Sequence, residues 1–313
     1  MVKVMEPLKT FLLINDNEFC AGENFKDSIN NILYNFLFDQ RAKLEDFYNK
    51  MEEEINNPNN DPNKKIIKLY KCNGNYIINK LKPKLLQRND FIYAGHDLPV
   101  WRNDPDLAEI KIMVITQDPR RSDNEMTKNG MDPNYHWISI STPFGLHSQT
   151  YRSHKNRGLV HYLFKDLQDE LKKYNYTPEK LSIYYTDFYK FRGVASEDLD
   201  TENRDVYIEV LSCEIQRFDP NVILLMGKKA QDAWKTIYNS NPTIINSSNK
   251  PKILPTPHPN ARRVTWGKKY PNKMKNYSSE EKRRMLLNDI NVEELLKKNE
   301  KMREELEKMK DMI

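Results

Sequence analysis

Cysteine is scarce: Cys20, Cys72 and Cys213 are the only three in 313 residues. They are odd in number and far apart, which supports neither a disulfide framework nor a paired-cysteine metal site and fits a reducing compartment. No apolar run approaches the length of a bilayer span, so no membrane-crossing helix is expected. The opening MVKVMEPLKT places a lysine just before Glu6 and Pro7 and lacks the apolar stretch of a secretory signal. A cytosolic location is therefore expected, or a nuclear one in a eukaryote. Charge of one sign is not in large excess either. Lys plus Arg number 50 against 45 Asp plus Glu, and the resulting +5 permits a polyanionic partner without demanding one.

The 38% of hydrophobic residues suffice for one large domain or two modest ones. From Ser28 to Ile55, Ile29, Ile32, Leu33, Phe36 and Leu37, then Leu44, Phe47, Tyr48 and Met51, recur at helical spacing, which predicts an amphipathic helix or helix pair. It ends in NNPNNDPNKK (Asn56 to Lys65), a turn-forming stretch that reads as a loop or internal boundary. Farther on, KIMVIT (Lys111 to Thr116), SIYYTDF (Ser182 to Phe188), NVILLMG (Asn221 to Gly227) and KILPT (Lys252 to Thr256) are short β-type runs. Between them, Leu159, Leu163, Leu167 and Leu171 form one helical stripe, and Tyr207, Leu211, Ile215 and Phe218 another. This alternation predicts an α/β fold with a central four-stranded parallel sheet flanked by helices. Right-handed crossovers put the C-terminal ends of the strands on one side, where open α/β sheets build their sites.

From Ser279 to Ile313 a highly charged segment keeps Leu295, Met302, Leu306, Met309 and Ile313 at three- and four-residue steps. It predicts one long amphipathic C-terminal helix, docked on the core or pairing with a partner. Docking is favoured because so short a seam makes a weak coiled coil. The expected organisation is a mainly helical N-terminal extension (1–104), an α/β core (105–270) and a charged C-terminal helix (271–313), in a monomer.

The strand ends carry residues foreign to a generic core. KIMVIT runs into Gln117-Asp118-Pro119, SIYYTDF carries Asp187, NVILLMG ends in Gly227, and KILPT leads into Pro257-His258-Pro259-Asn260-Ala261-Arg262-Arg263. Singly each has a bland reading: an Asp after a strand is commonly a turn former or helix cap, a His between prolines a rigid loop residue, and Phe144 ordinary core. A parallel sheet, however, brings these strand ends together.

Their order and local sequence resemble the uracil-DNA glycosylase superfamily. Gln117-Asp118-Pro119 matches its water-activating Gln-Asp-Pro motif. Pro143-Phe144-Gly145 looks like the segment whose Phe stacks on the extruded base. Tyr185-Thr186-Asp187-Phe188-Tyr189-Lys190-Phe191-Arg192 is similar to the Thr-Asn-x-x-Lys-x-Arg stretch that supplies the base-reading side chain. Val222 to Gly227, continuing into Lys228 to Ala230, looks like the strand and helix start before the last motif, which His258-Pro259 matches. The resemblance covers roughly 105–270. It implies a DNA glycosylase, with DNA as partner and Lys190 and Arg192 among the DNA contacts.

The chemistry suits those residue types. Cleaving an N-glycosidic bond develops positive charge on the sugar and negative charge on the departing base. A carboxylate near C1′ stabilises the first and orients water, the role expected of Asp118. A neutral imidazole aimed at the base O2 stabilises the second, the role expected of His258. The base must leave the helix, and the Phe144 ring repays part of its lost stacking. Gln117 completes the pocket.

Departures from the family's pattern bear on the substrate. Arg120 stands where the common uracil enzymes have a Tyr that obstructs a 5-substituent. Asp187 stands where the family has Asn. An ionised carboxylate only accepts hydrogen bonds, so it repels uracil O4 and favours the exocyclic amino group of cytosine. Excising normal cytosine would destroy the host genome, so a bulky 5-substituent is the expected restriction. Hydroxymethylated or glucosylated cytosine of phage DNA fits, and with it a defence role. Phe191 occupies the place of a cysteine found in iron–sulfur branches, so no cluster, metal or other cofactor is expected. The family's intercalating Leu is absent, with Arg262 or Arg263 near its place. From Lys250 to Ser279, Lys250, Lys252, Arg262, Arg263, Lys268, Lys269, Lys273 and Lys275 make eight basic residues without an acidic one, interleaved with Trp266 and Tyr270. This is either a solvated loop or a phosphate-binding surface, and its attachment to the His258 motif favours the latter.

His136, His147 and His154 lack metal-site or triad spacing, and His96 and His161 read as structural. The expected activity is hydrolysis of the glycosidic bond of a flipped 5-modified cytosine. The alternatives are a uracil enzyme of base-excision repair, a non-catalytic DNA-binding protein of the same fold, and a scaffold that binds a partner through its C-terminal helix.

Overall fold

The computed structural model describes residues 22–37, 93–97, 99–116, 137–139, 159–193, 203–240, 250–258, 261, 263–271, 273 and 277–310. Five strands form the main sheet. They are β2 (Val100–Arg102), β3 (Ile110–Thr116), β5 (Leu181–Asp187), β7 (Val222–Met226) and β8 (Lys252–Thr256), in the order β2-β5-β3-β7-β8. The last four are parallel, with Ile110 opposite Leu181, Thr116 opposite Asp187, Ile112 opposite Val222 and Met226 opposite Thr256. β3, β5 and β7 are buried along their whole length apart from partly exposed Lys111, which is why they read as unbroken apolar runs.

The sheet is thus mixed, and wider by one strand than the sequence predicts. β2 runs antiparallel to β5, with Trp101 opposite Tyr184. Three residues are too few to show a period. Residues 100–102 therefore belong to the core sheet, although the predicted boundary at 104 assigns them to the extension. A second, three-stranded sheet joins β1 (Tyr93–Asp97) to β4 (Trp137–Ser139) in parallel and to β6 (Phe191–Gly193) in antiparallel fashion.

Side chains of successive strand residues face opposite layers. On one side lie α1 (Glu23–Leu37), α3 (Arg204–Phe218) and α4 (Lys228–Ser240). Helix α1 begins five residues before the predicted Ser28 and carries Phe25, Ile29 and Leu33 at zero exposure. Phe25 meets Trp101 edge-on at 5.0 Å and Tyr184 and Phe218 at 6.0 Å, locking this helix onto β2, β5 and α3. Such ring pairs contribute about 0.5–1.5 kcal/mol each beyond their buried area. The predicted helical stretch 44–51 lies outside the described residues. On the other side the Arg102 guanidinium sits 5.5 Å from the Phe164 ring of α2 (Leu159–Lys172), beside α6 (Ser279–Ile290).

The C-terminal segment is two helices, not one. Asn291 adopts a left-handed conformation (φ 56°) between α6 and α7 (Val292–Lys310), and its N–H bonds the Leu287 carbonyl at 2.9 Å. Asn tolerates that region better than most residues, so the chain turns without breaking the apolar pattern. Leu286, Ile290, Val292, Leu295 and Leu296 are buried, so this part of the segment is docked. The side chains of Met302, Leu306, Met309 and Ile313 lie outside the described residues. Helix α6 starts with a capping box: Ser278 Oγ accepts from Glu281 N at 3.2 Å and Glu281 accepts from Ser278 N at 3.1 Å. Ser278→Ala is expected to lower stability by about 1 kcal/mol, read as a lower urea midpoint with an unchanged slope; an unchanged midpoint would show that docking alone holds the helix start.

Candidate active site at the C-terminal sheet edge

The parallel register sets the site. Asp187 ends β5, is fully buried and lies opposite Thr116, the last residue of β3. The Thr116 hydroxyl donates to Asp187 Oδ1, and the ladder runs one step farther, Phe188 N–H to Thr116 carbonyl at 3.1 Å. Gln117 is the next residue along the chain. A carboxylate offers about four lone-pair sites, and the Thr116 hydroxyl uses one of them.

Two strands across, Gly227 directly follows β7 with φ +98° and donates its N–H to the Thr256 carbonyl at 2.9 Å. A Cβ on Gly227 would lie 3.3 Å from His258 Cβ, so glycine serves both the backbone conformation and the approach of the imidazole. Gln231 of α4 donates from Nε2 to the Thr256 carbonyl at 2.9 Å, fastening the end of β8 to the helix start. The His258 carbonyl accepts from Ala261 N at 2.8 Å and from Trp266 Nε1 at 3.2 Å. These bonds hold half-exposed His258 at the same sheet edge as Asp187.

Helix α5 (Arg263–Lys269) follows. Its Trp266 is fully buried and stacks on Tyr270 at 5.9 Å with 20° between planes, while Lys282 Nζ lies 5.2 Å from the Trp266 ring centre. The two aromatics that the sequence interleaves with basic residues thus face the core. Burial holds the Lys282 pKa below its usual value. Burial, and then the hydrogen bond to Asp289, push the Tyr270 phenol far above its own. Lys269 bonds the Pro255 carbonyl at 2.6 Å and the Asp289 carboxylate at 3.0 Å, so its ammonium ties α5 to β8 and α6. Lys268 and Arg263 are exposed, the latter's guanidinium lying 4.9 Å from the Tyr277 ring centre.

One assignment is corrected. Lys190, expected to contact DNA, is fully buried: Nζ donates to both Glu214 oxygens at 3.0 and 3.1 Å and to Thr186 Oγ1. Glu214 also accepts from Thr186 Oγ1 at 3.0 Å. A buried ammonium held this way has no reach to a phosphate. Glu214 sits three residues after Leu211 on the apolar stripe of α3, and a carboxylate there signals a buried cationic partner. Arg192 lies in β6 opposite Gly95, with its side chain outside the described residues. Gln117, Asp118, Arg120, Phe144 and Arg262 lie outside them as well, with His136, His147 and His154. Among the described residues no group of His, Cys, Asp and Glu could hold a metal, and no helix is long and apolar enough to cross a membrane.

The open α/β sheet thus brings a buried carboxylate and a clamped histidine to its C-terminal edge, where folds of this class build their sites. The comparison with family models matches residues 105–280 to the uracil DNA glycosylase superfamily, and the chain belongs to that family. It is a family of DNA glycosylases, which act on DNA. The comparison with curated proteins finds no match.

Proposed function

We propose that this protein is a DNA glycosylase that hydrolyses the N-glycosidic bond of a flipped 5-modified cytosine and leaves an abasic site. Water, oriented by the Asp118 carboxylate with Gln117 beside it, adds its oxygen to C1′ as the C1′–N bond breaks. Its proton leaves through Asp118, and the departing base keeps the bonding electron pair. His258 donates a hydrogen bond to the base O2, where that negative charge gathers. Phe144 stacks on the extruded ring, and Arg120, in place of an obstructing Tyr, leaves room for the 5-substituent. Arg192, Arg262, Arg263 and Lys268 contact phosphates.

The observation that carries this reading is Asp187, buried at the end of β5 one strand from the start of Gln117-Asp118-Pro119. A hydrogen bond from Thr116 suits an ionised carboxylate, which in turn accepts from the cytosine amino group and repels uracil O4. Phage DNA bearing hydroxymethylated or glucosylated cytosine supplies such a base, and removing it would serve defence.

The test is an abasic-site cleavage assay on DNA carrying uracil, cytosine, hydroxymethylcytosine or glucosylated hydroxymethylcytosine. Abasic sites confined to modified cytosine are expected, with turnover reduced at least about 100-fold in Asp118→Asn and in His258→Ala. Cleavage of uracil alone would remove Asp187 as the amino-group reader. DNA binding untouched by Asp118→Asn, without product from any base, would instead make the protein a binding module.

A further inference from the structure

We propose that Trp266 is a positioning residue for His258, and that α6 is the buttress that holds it there. The proposal rests on the role assigned above to His258. Three observations converge on it. First, the His258 carbonyl takes the Trp266 indole N–H at 3.2 Å alongside Ala261 N–H at 2.8 Å, so the histidine's own peptide is held from two directions. Second, Gly227 leaves the space that His258 occupies: a Cβ there would lie 3.3 Å from His258 Cβ, so the histidine sits close over the end of β7. With its peptide fixed in this way the imidazole moves only by rotation of its own side chain, and small displacements at a reacting centre are costly.

Third, the indole is itself fixed from outside the last motif. Trp266 is fully buried; Tyr270 stacks on it, and Lys282 of α6 lies 5.2 Å from its ring centre. Asp289 of α6 accepts from Tyr270 OH at 2.6 Å and pairs with Lys269 at 3.0 Å. Helix α6 is in turn seated on α2, where Arg283 Nε meets Asp166 at 2.6 Å. The family match ends at residue 280, so nearly all of this buttress lies beyond it. A C-terminal helix acting only as a handle for a partner would leave His258 untouched by changes along this chain of contacts.

Trp266→Phe keeps a ring between Tyr270 and Lys282 and removes the N–H together with part of the buried indole's volume. On the preferred base its kcat is expected to fall about ten-fold with KM little changed. In the His258→Ala background the same substitution should have no further effect, because a positioning residue acts through the residue it positions. The His258 ring resonances in NMR should shift in Trp266→Phe. The indole N–H of Trp266 in the unaltered protein should exchange slowly with solvent, a reading that needs no variant. Unchanged kcat and unchanged His258 resonances in Trp266→Phe would overturn the proposal, as would fast exchange of the indole. Absence of any abasic product from the unaltered protein would defeat the glycosylase reading alone, because the resonances and the exchange rate still decide whether Trp266 fixes His258.

Discussion

Glu214→Ala is expected to destabilise the protein by about 3–5 kcal/mol, the cost of stranding a buried charge. Lys190 and Glu214 side chains both have 0% exposure, and the ammonium donates to both carboxylate oxygens. Removing the carboxylate takes away the counter-charge to which Lys190 Nζ donates twice, and a buried ammonium so deprived is driven to shed its proton or draw in water. The matched double change Lys190→Met with Glu214→Leu should recover most of the loss, because replacing both partners by apolar groups of similar volume removes the desolvation cost together with the attraction. Urea unfolding of the three proteins decides this. A single variant that unfolds at the same midpoint as the unaltered protein would mean that the ion pair has another neutralising contact.

Gly227→Ala should damage turnover more than stability. The backbone there has φ +98°, a region that side chains disfavour by about 1–3 kcal/mol. The added Cβ would press on His258 Cβ at 3.3 Å, and something must give by a few tenths of an ångström. If the strand end and α4 hold firm, as the Gly227–Thr256 and Gln231–Thr256 bonds at 2.9 Å suggest they will, the histidine moves. With His258 in the role proposed for it, a loss of about 10- to 100-fold in kcat is expected. Steady-state kinetics on the preferred base, compared with the unfolding midpoint, measure the two effects separately. Full kcat in a folded Gly227→Ala protein would show that His258 tolerates the intrusion.

Much of the core is legible in the sequence because buried parallel strands have little choice of composition. Met113-Val114-Ile115 and Ile223-Leu224-Leu225 can be little else, and the leucines of α2 repeat too regularly for a loop. What escapes notice is short or depends on distant pairing. Val100–Arg102 becomes a strand only because β5 lies beside it, and Trp101 joins the core through Phe25, seventy-six positions earlier in the chain. The break at Asn291 is hidden because the apolar steps run on through it. At the site, Asp187 and His258 announce themselves by standing at strand ends. Lys190 reads as a phosphate contact until Glu214, on α3, is brought against it. Trp266 reads as a nucleic-acid aromatic because Arg263, Lys268 and Lys269 lie within three positions of it, whereas its contacts in space are Tyr270, Lys282 and the His258 peptide.

Neither outer strand of the main sheet invites another chain. On one side β2 stops after three residues, and on the other β8 carries exposed Pro255, which has no N–H to offer. Parallel strands joined through long crossovers find one another slowly, and until they do, each offers unpaired backbone to other molecules. A short border and a proline-bearing one leave the finished sheet little to which a stray strand can add. The same proline presents the carbonyl that Lys269 grips at 2.6 Å, so a residue that discourages unwanted pairing also anchors the helix beside the histidine.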